Sequence, residues 1–348
     1  MDRKTWVAIG LAAALGIPGL VFGLGFWAAG GWPEPDVLDV PVEKGVEPRL
    51  KPKEIPAKLR ILSYNIHFGV GRKEDLKARR SRLELERIQK GLAELISRLE
   101  PDIVLLQEVD FDSDRTANIN QMHELAAATG FPYMAPVVTW KKNWLPYPGL
   151  DPRQHYGKML SGQAVLSRFP ITANRRLRLP QPQANSLIYN AFYLNRALQE
   201  VDIDVAGRPL KVFNTHTEAF DVSNRQQHAE QIRDWVRRER GEWTILAGDF
   251  NAVPPEASFK KGFPDEPKTD MSEDRSVATL RELDFGEIFP PERYLKVEEL
   301  AYTFPSDFPN RRLDYIHFSQ NFRMVEGFVV HEAETLSDHL PVFVELEW

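Results

Sequence analysis

No cysteine occurs in the 348 residues. That excludes disulfides, thiol nucleophiles, lipidated cysteine anchors and thiolate metal sites together. Any bound metal falls to oxygen and imidazole ligands, which suit hard ions such as Mg²⁺ or Mn²⁺. A basic surplus is missing too: 44 Lys+Arg stand against 50 Asp+Glu, a net charge of -6. A chain whose main partner is a nucleic acid usually shows the opposite balance. Charge itself is missing from Thr5 to Gly31.

That uncharged run is long enough to cross the hydrocarbon core of a bilayer. Trp6, Trp27 and Trp32 sit near its ends, where indole rings prefer the interface. Arg3 and Lys4 precede it, while Glu34, Asp36, Asp39 and Glu43 follow. The positive-inside bias then predicts a single-pass membrane protein with everything after Trp32 outside the cytoplasm. A cleaved signal peptide is the competing reading, with Ala28, Ala29 and Gly30 near a cut site. Signal cores usually run only about 7–15 residues, which favours an uncleaved transmembrane helix. The chain thus divides into an anchor (1–32), a linker (33–58) and a folded domain (59–348). Pro33, Pro35, Pro41, Pro48, Pro52 and Pro56 keep regular helix and central strand out of the linker.

From Leu59 the texture changes. Leu59–Asn65, Ile103–Leu106, Gln163–Leu166, Gln199–Val205, Leu210–Asn214, Thr244–Ala247, Leu313–Phe318 and Val342–Leu346 read as short strands. Leu83, Ile88, Leu92, Leu95, Ile96 and Leu99 mark one face of a helix that Pro101 stops. A second helix near Asn224–Arg240 carries Ile232, Trp235 and Val236 inward and leaves His228 on its surface. Mixed short strands with amphipathic helices predict a layered α/β domain, helices outside packed sheets.

Polar residues recur at the ends of these apolar strands: Asn65 and His67, Glu108, Asn214 and His216, Asp249 and Asn251, Asp314, then Asp338 with His339. Strand ends are rigid, so several such groups can converge at one sheet edge. A cluster of Glu, Asp, Asn and His without Cys suits one or two hard cations plus acid/base groups.

The segments Ser63-Tyr-Asn65, Leu106-Gln-Glu108, Asn214-Thr-His216, Gly248-Asp-Phe-Asn251, Arg312-Leu-Asp-Tyr315 and Ser337-Asp-His339 resemble, in order, the motif series of the endonuclease/exonuclease/phosphatase superfamily. That group includes deoxyribonuclease I, apurinic endonucleases, neutral sphingomyelinases and inositol-polyphosphate 5-phosphatases. The resemblance implies a four-layer sandwich of two mixed β-sheets flanked by helices, and a Mg²⁺-dependent phosphoester hydrolase with Mn²⁺ as the other candidate ion. It implies Glu108 as the main metal ligand, assisted by Asn65 and Asp338. Asp249 and Asn251 would position the attacking water, with Asn65 and Asn251 also holding phosphate oxygens. His339, oriented by Asp314, would be general base or cationic phosphate clamp. His216 would contact phosphate or protonate the leaving group. Tyr156, before the Ser161–Arg168 strand, resembles a phosphate-contacting tyrosine of some relatives, at a longer spacing than theirs. Position 67 is His where many relatives carry an acid that supports a second metal, and Thr217-Glu218 stands where a Leu often follows the His.

The bland readings treat Asn65, Asp249 and Asn251 as turn formers and Asp314 as a partner of Arg311 or Arg312. Two stretches stand apart. Trp140–Tyr147 mixes aromatics with cations, and Leu187–Leu194 is strongly apolar; core or lid packing competes with an interfacial surface. The leading expectation is a phosphodiesterase or phosphatase acting on a lipid headgroup or small phosphoester. A nuclease of the same fold and an inactive phospholigand-binding module are the alternatives.

Overall fold

A computed structural model describes residues 20–31, 34–45, 55–72, 79–149, 151–333 and 335–348. Its strands are β1 (Val37–Asp39), β2 (Glu43–Lys44), β3 (Lys58–Asn65), β4 (Ile103–Asp110), β5 (Tyr133–Leu145), β6 (Gly157–Ser167) and β7 (Ile171–Arg178). They continue with β8 (Ala197–Val205), β9 (Arg208–His216), β10 (Thr244–Asp249), β11 (Gly286–Glu287), β12 (Asp314–Phe318), β13 (Arg323–Val329) and β14 (Val342–Glu347). Helices are α1 (residues 20–28), α2 (Arg82–Leu99), α3 (Gln121–Thr129), α4 (Leu187–Phe192), α5 (Val222–Glu239), α6 (Ser276–Arg281) and α7 (Pro291–Tyr294).

The strands form two seven-stranded sheets, ordered β1-β7-β8-β9-β10-β12-β11 and β13-β14-β3-β4-β6-β5-β2. Each has one parallel pair near its centre, β9 with β10 and β3 with β4. A parallel pair needs a crossover, and the two longest helices supply them, α5 in one sheet and α2 in the other. The N-terminus of α2 is fixed by a reciprocal capping box between Ser81 and Glu84. Leu85, Leu92, Leu95 and Ile96 turn inward, and Glu100, at φ 49°, ends the helix before Pro101. On α5 the Asp221 carboxylate caps the Asn224 amide at 2.9 Å. Much of the core between the sheets is apolar, from Ile61, Leu105 and Val165 to Val212 and Ile245. A second core, including Leu198, Phe213, Leu246, Ile232 and Val236, fills the space under α5 and α6.

The proline-rich stretch expected as a linker is partly built into the sheets. β1 pairs with β7 and β2 with β5, both at sheet edges. Proline bars a central strand but not an edge, where one side of the backbone needs no partner. The expected transmembrane helix falls largely outside the described residues. Among them no helix is long and apolar enough to cross a membrane. Trp140–Tyr147 is the outer end of β5 and the turn beyond it, paired through Leu145 with β6. His228 is not a surface residue: it is fully buried, its Nδ1 accepting the Glu218 amide at 3.2 Å and its Nε2 facing the Pro180 carbonyl at 2.7 Å. A helix packed on a sheet and also under a loop has a buried face wider than its apolar stripe.

Candidate active site

The inner faces of the two sheets meet through a polar seam. Gln107 Nε2 on β4 donates to Asn214 Oδ1 on β9 at 2.7 Å, and Asn214 Nδ2 donates to the Leu106 carbonyl at 3.1 Å. Gln199 continues the seam, accepting from Asn214 at 3.2 Å and donating to Asn174 at 3.0 Å. Buried amides must find partners, and here they find them across the sheets. The seam locks the end of β4 against the end of β9, which fixes Glu108 relative to His216.

Local irregularities aim two of the functional side chains, Glu108 and Asn251. Glu108 has φ 52° and sits where the β4–β6 register slips between Leu106 and Val109, a bulge that turns its carboxylate out of the ladder. Asn251 follows β10 at φ 48°. Gly248 lets β10 pass close to β9, since a Cβ there would meet the Thr215 carbonyl oxygen at 1.8 Å. Phe250 then turns inward and stacks on Tyr315, ring centroids 4.8 Å apart, so Asp249 and Asn251 face the cleft on either side of it.

Asp249 is the hub. Asn65 Nδ2 donates to its Oδ2 at 3.0 Å and, more weakly, to Glu108 Oε1 at 3.4 Å. The Asn251 backbone amide donates to Asp249 Oδ1 at 2.9 Å. His216 Nε2 lies 3.3 Å and His339 Nε2 3.6 Å from Asp249 Oδ2. The other ring nitrogen of His339 is 2.8 Å from Asp314 Oδ2. Thus Asn65, Glu108, His216, Asp249, Asn251, Asp314 and His339 are brought together. The competing partners of Asp314 are engaged elsewhere, Arg311 with Asp265 at 2.7 Å and Arg312 with Glu287 at 3.1 Å. Asn251 Nδ2 is tied to the Thr217 carbonyl at 3.1 Å.

Asp338 stands slightly apart, its Oδ2 3.4 Å from His67 Nδ1 and its Oδ1 3.3 Å from Ser337 Oγ. Ser337 Oγ in turn donates to the Asn65 carbonyl at 2.7 Å, so the last motif is bolted to the first. Tyr156 is buried beside Tyr147 and Arg115, the Arg115 guanidinium 5.3 Å from its ring. Burial raises its phenol; Arg115 opposes this, and Tyr147, Asp110 and Glu108 add smaller upward pushes. Glu218 does not join the network: its Oε1 accepts Tyr193 Oη at 2.9 Å and the Phe220 amide at 3.1 Å.

Burial pushes Asp249 up to about 7, with the His339 charge opposing. Burial works against a cation at His339, yet the Asp314 and Asp249 carboxylates outweigh it and raise the imidazole to about 10. His216 moves the other way. Burial, then the positive charges of Arg196 and His339, hold it well below the ordinary histidine value. Sequence reasoning missed Arg196. It sits one residue before the β8–β9 pair of Ala197 with His216, is buried, and its Nε lacks a hydrogen-bond partner among the described residues. A lone Asn-Arg before a strand carries no signal by itself.

Asp249, Asp314 and His339 place three ligand-type atoms within 4.8 Å of one another. The His339 ring already lies between the two carboxylates as their counter-cation, so that position is filled. Glu108 is different: its carboxylate is partly exposed and only weakly engaged by Asn65. Glu108 fits a hard divalent ion as a partly exposed oxygen donor. Asn65, buried beside it, turns its Nδ2 toward Glu108 and its Oδ1 to the His67 amide at 3.0 Å, so it joins as a ligand only with its amide turned over.

Two packed mixed sheets flanked by helices, with this cleft at their strand ends, define a deoxyribonuclease I-like α/β fold. The chain matches the family model for the endonuclease/exonuclease/phosphatase family over residues 62–339 and belongs to that family of phosphoester hydrolases. Enzymes of this family typically depend on a divalent metal. Solved structures agree on the fold. One is an endonuclease/exonuclease/phosphatase from Beutenbergia cavernae, 22% identical, covering 84% of this chain and 72% of its own, with a TM-score of 0.57. Another is a mannosyl-6-phosphatase from Bacteroides thetaiotaomicron, 18% identical over 83% of this chain and 100% of its own, TM-score 0.54. The D. rerio TDP2 complexed with single-strand DNA product is 16% identical over 84% and 100%, TM-score 0.53. No curated protein matches the chain.

Proposed function

We propose that this chain is a Mg²⁺- or Mn²⁺-dependent phosphoester hydrolase, held at a membrane by its N-terminal run with the catalytic domain outside the cytoplasm, and acting on a lipid headgroup or a small phosphoester. The observation that carries the hydrolytic reading is the geometry of the Asp249 hub, where one buried carboxylate is met by Asn65 at 3.0 Å, His216 at 3.3 Å and His339 at 3.6 Å, with His339 held from behind by Asp314 at 2.8 Å. Water is activated best by a base whose pKa lies near the working pH, and Asp249 meets that condition. Asn251 and Asn65 fix the Asp249 carboxylate, so the proton it takes from water leaves along one direction. His339, charged at neutral pH, serves as the phosphate clamp rather than as the base. His216, neutral, donates an N–H to a phosphate oxygen rather than protonating the leaving group. Glu108, assisted by Asn65 with its amide turned over, would hold a divalent ion, which would supply Lewis-acid stabilisation of the phosphoryl charge. Water attacks phosphorus and gives up a proton to Asp249, the bond to the leaving oxygen breaks, that oxygen takes a proton from solvent, and no covalent enzyme intermediate forms.

Anchoring is supported by the charge-free Thr5–Gly31 run and by α1, which exposes Leu20, Phe22 and Trp27. A lipid substrate fits that address and the acidic total charge. The test is the full-length chain in phospholipid vesicles, supplied with Mg²⁺ or Mn²⁺. It is offered phospholipid headgroups, sugar phosphates and nucleotides, and single- and double-stranded DNA at matched salt. Release of a lipid headgroup or small phosphate, abolished by chelation, is the expected result. DNA cleavage without either would replace this reading with a nuclease.

A further inference from the structure

The helix α4 has the composition of a core segment, yet none of its residues is buried. Leu187 is 90%, Ile188 78% and Tyr189 56% exposed. Its backbone is nevertheless held firmly. Ser186 Oγ accepts the Tyr189 amide at 3.2 Å, Trp140 Nε1 donates to the Phe192 carbonyl at 3.0 Å, and Gln181 Nε2 to the Asn190 carbonyl at 3.2 Å. These bonds, with Phe192 packed against Leu145, Tyr156 and Met159, fix the helix from behind and leave Leu187, Ile188 and Tyr189 exposed. Isolated exposed apolar residues are ordinary, but neighbouring ones on a braced helix mark a contact surface.

Lys142, near the outer end of β5, joins this helix to the N-terminal run. Its Nζ donates both to the Ala191 carbonyl at 2.7 Å, on α4, and to the Ala29 carbonyl at 3.1 Å, just past α1. Next to it, Asn143 Nδ2 donates to the Trp27 carbonyl at 2.8 Å. The uncharged run that begins at Thr5 therefore ends against the same strand that carries α4. Phe22 and Trp27 of α1 are exposed as well, as are Trp144 and the cation Lys141 on β5. Aromatic rings and a lysine beside bare aliphatic side chains suit the headgroup boundary of a bilayer.

We propose that the outer face of α4, together with the outer end of β5, rests on the bilayer that holds the N-terminal run. This rests on the anchoring reading above and adds which face of the domain meets the lipid. The cleft then opens beside the membrane surface: Tyr193, one residue past α4, bonds Glu218, which lies two residues beyond His216. A lipid headgroup reaches the Asp249 hub without leaving the interface.

The absence of native cysteine makes the test direct. Full-length Ile188→Cys, carrying a polarity-sensitive fluorophore, is reconstituted into phosphatidylcholine/phosphatidylglycerol vesicles. Leu295→Cys is the control: Leu295 is exposed after α7, whose Arg293 bonds Gly327 of β13, at the opposite edge of the sheet from β5. The expected result is a blue shift at position 188 and loss of most of its emission to nitroxide-labelled lipid, with position 295 unchanged. A chain that floats with vesicles while the label at 188 stays aqueous overturns the docking face and leaves the anchor standing. Equal quenching at both positions overturns it too. A blue shift without nitroxide quenching assigns the face to a second copy of the protein instead. A chain that does not float with vesicles overturns the anchoring and the docking together.

Discussion

The cleft and the α4 face differ in how their side chains are satisfied. In the cleft, Asn65, Asp249 and His339 are buried and held by partners drawn from four strands and their ends. On the α4 face the backbone is satisfied while Leu187 and Ile188 stand exposed. A buried polar group without a partner is costly, so the cleft tolerates little change in any one member. An exposed aliphatic group contributes almost nothing to folding, so the face is free to change without loss of stability. Cost without evident folding benefit is where function is to be sought, and the two regions carry it in opposite ways.

Loss of Glu108 should be the largest effect. Glu108→Gln keeps the shape and removes the charge of a partly exposed residue. Activity should fall on the order of a thousand-fold or more, while the thermal midpoint stays unchanged. A chelator should mimic the variant, and Mg²⁺ or Mn²⁺ should restore only the native enzyme. Full activity in chelator, read by phosphate release, breaks the assignment of Glu108.

Next come Asp314→Asn and His339→Gln. The imidazolium exists because Asp314 and Asp249 hold it, so either substitution should cost about 10²–10⁴-fold in kcat. The double variant should be little worse than the worse single one. Strictly additive losses would show that the two residues serve separate steps.

A smaller effect separates the regions by stability. Leu106→Ala, in the core behind Glu108, should cost about 2–5 kcal/mol in urea unfolding. Ile188→Ala should stay within about 0.5 kcal/mol of the parent. Equal losses at the two positions would mean that α4 is packed in solution, and the contrast between the regions would collapse.

The cleft was legible in the sequence because each motif lies at one end of an apolar strand, Asp314 at the start of β12 and Asp338 with His339 just before β14, and strand ends converge wherever sheets pack face to face. The roles inside the motifs were less legible. Gln107 and Asn214 stand among the named segments, but nothing in a linear pattern says that they bond each other across the sheets. The choice between base and clamp for His339 depends on the burial of Asp249 and on Asp314, both set by the fold. The sheet edges were hidden for a simpler reason. β1 and β2 are three and two residues long amid prolines, and edge pairing asks little of the sequence. The α4 segment read equally as core or surface because an apolar run reports what a residue prefers, not what lies opposite it.

The last prediction concerns the joint between the regions. His228 on α5 links the Glu218 amide, just past β9, to the Pro180 carbonyl in the loop that leads to α4. Burial holds its imidazole down to about 4, against an ordinary value of 6.5. The folded protein therefore keeps His228 neutral where the unfolded chain binds a proton. Its contribution to stability is complete above pH 6.5 and is lost progressively as the pH falls towards 4. By pH 5.5 the loss should reach about 1 kcal/mol from this residue. Urea unfolding at pH 7.5 and 5.5 should show that drop in the native chain and a flatter response in His228→Gln, whatever the variant's absolute stability. Hydrogen exchange should show the amides of residues 180–193 opening first as the pH falls, since the protonated ring loses its grip on Glu218 and with it the tie between cleft and face. An equal pH slope in the two proteins would show that His228 is not the joint.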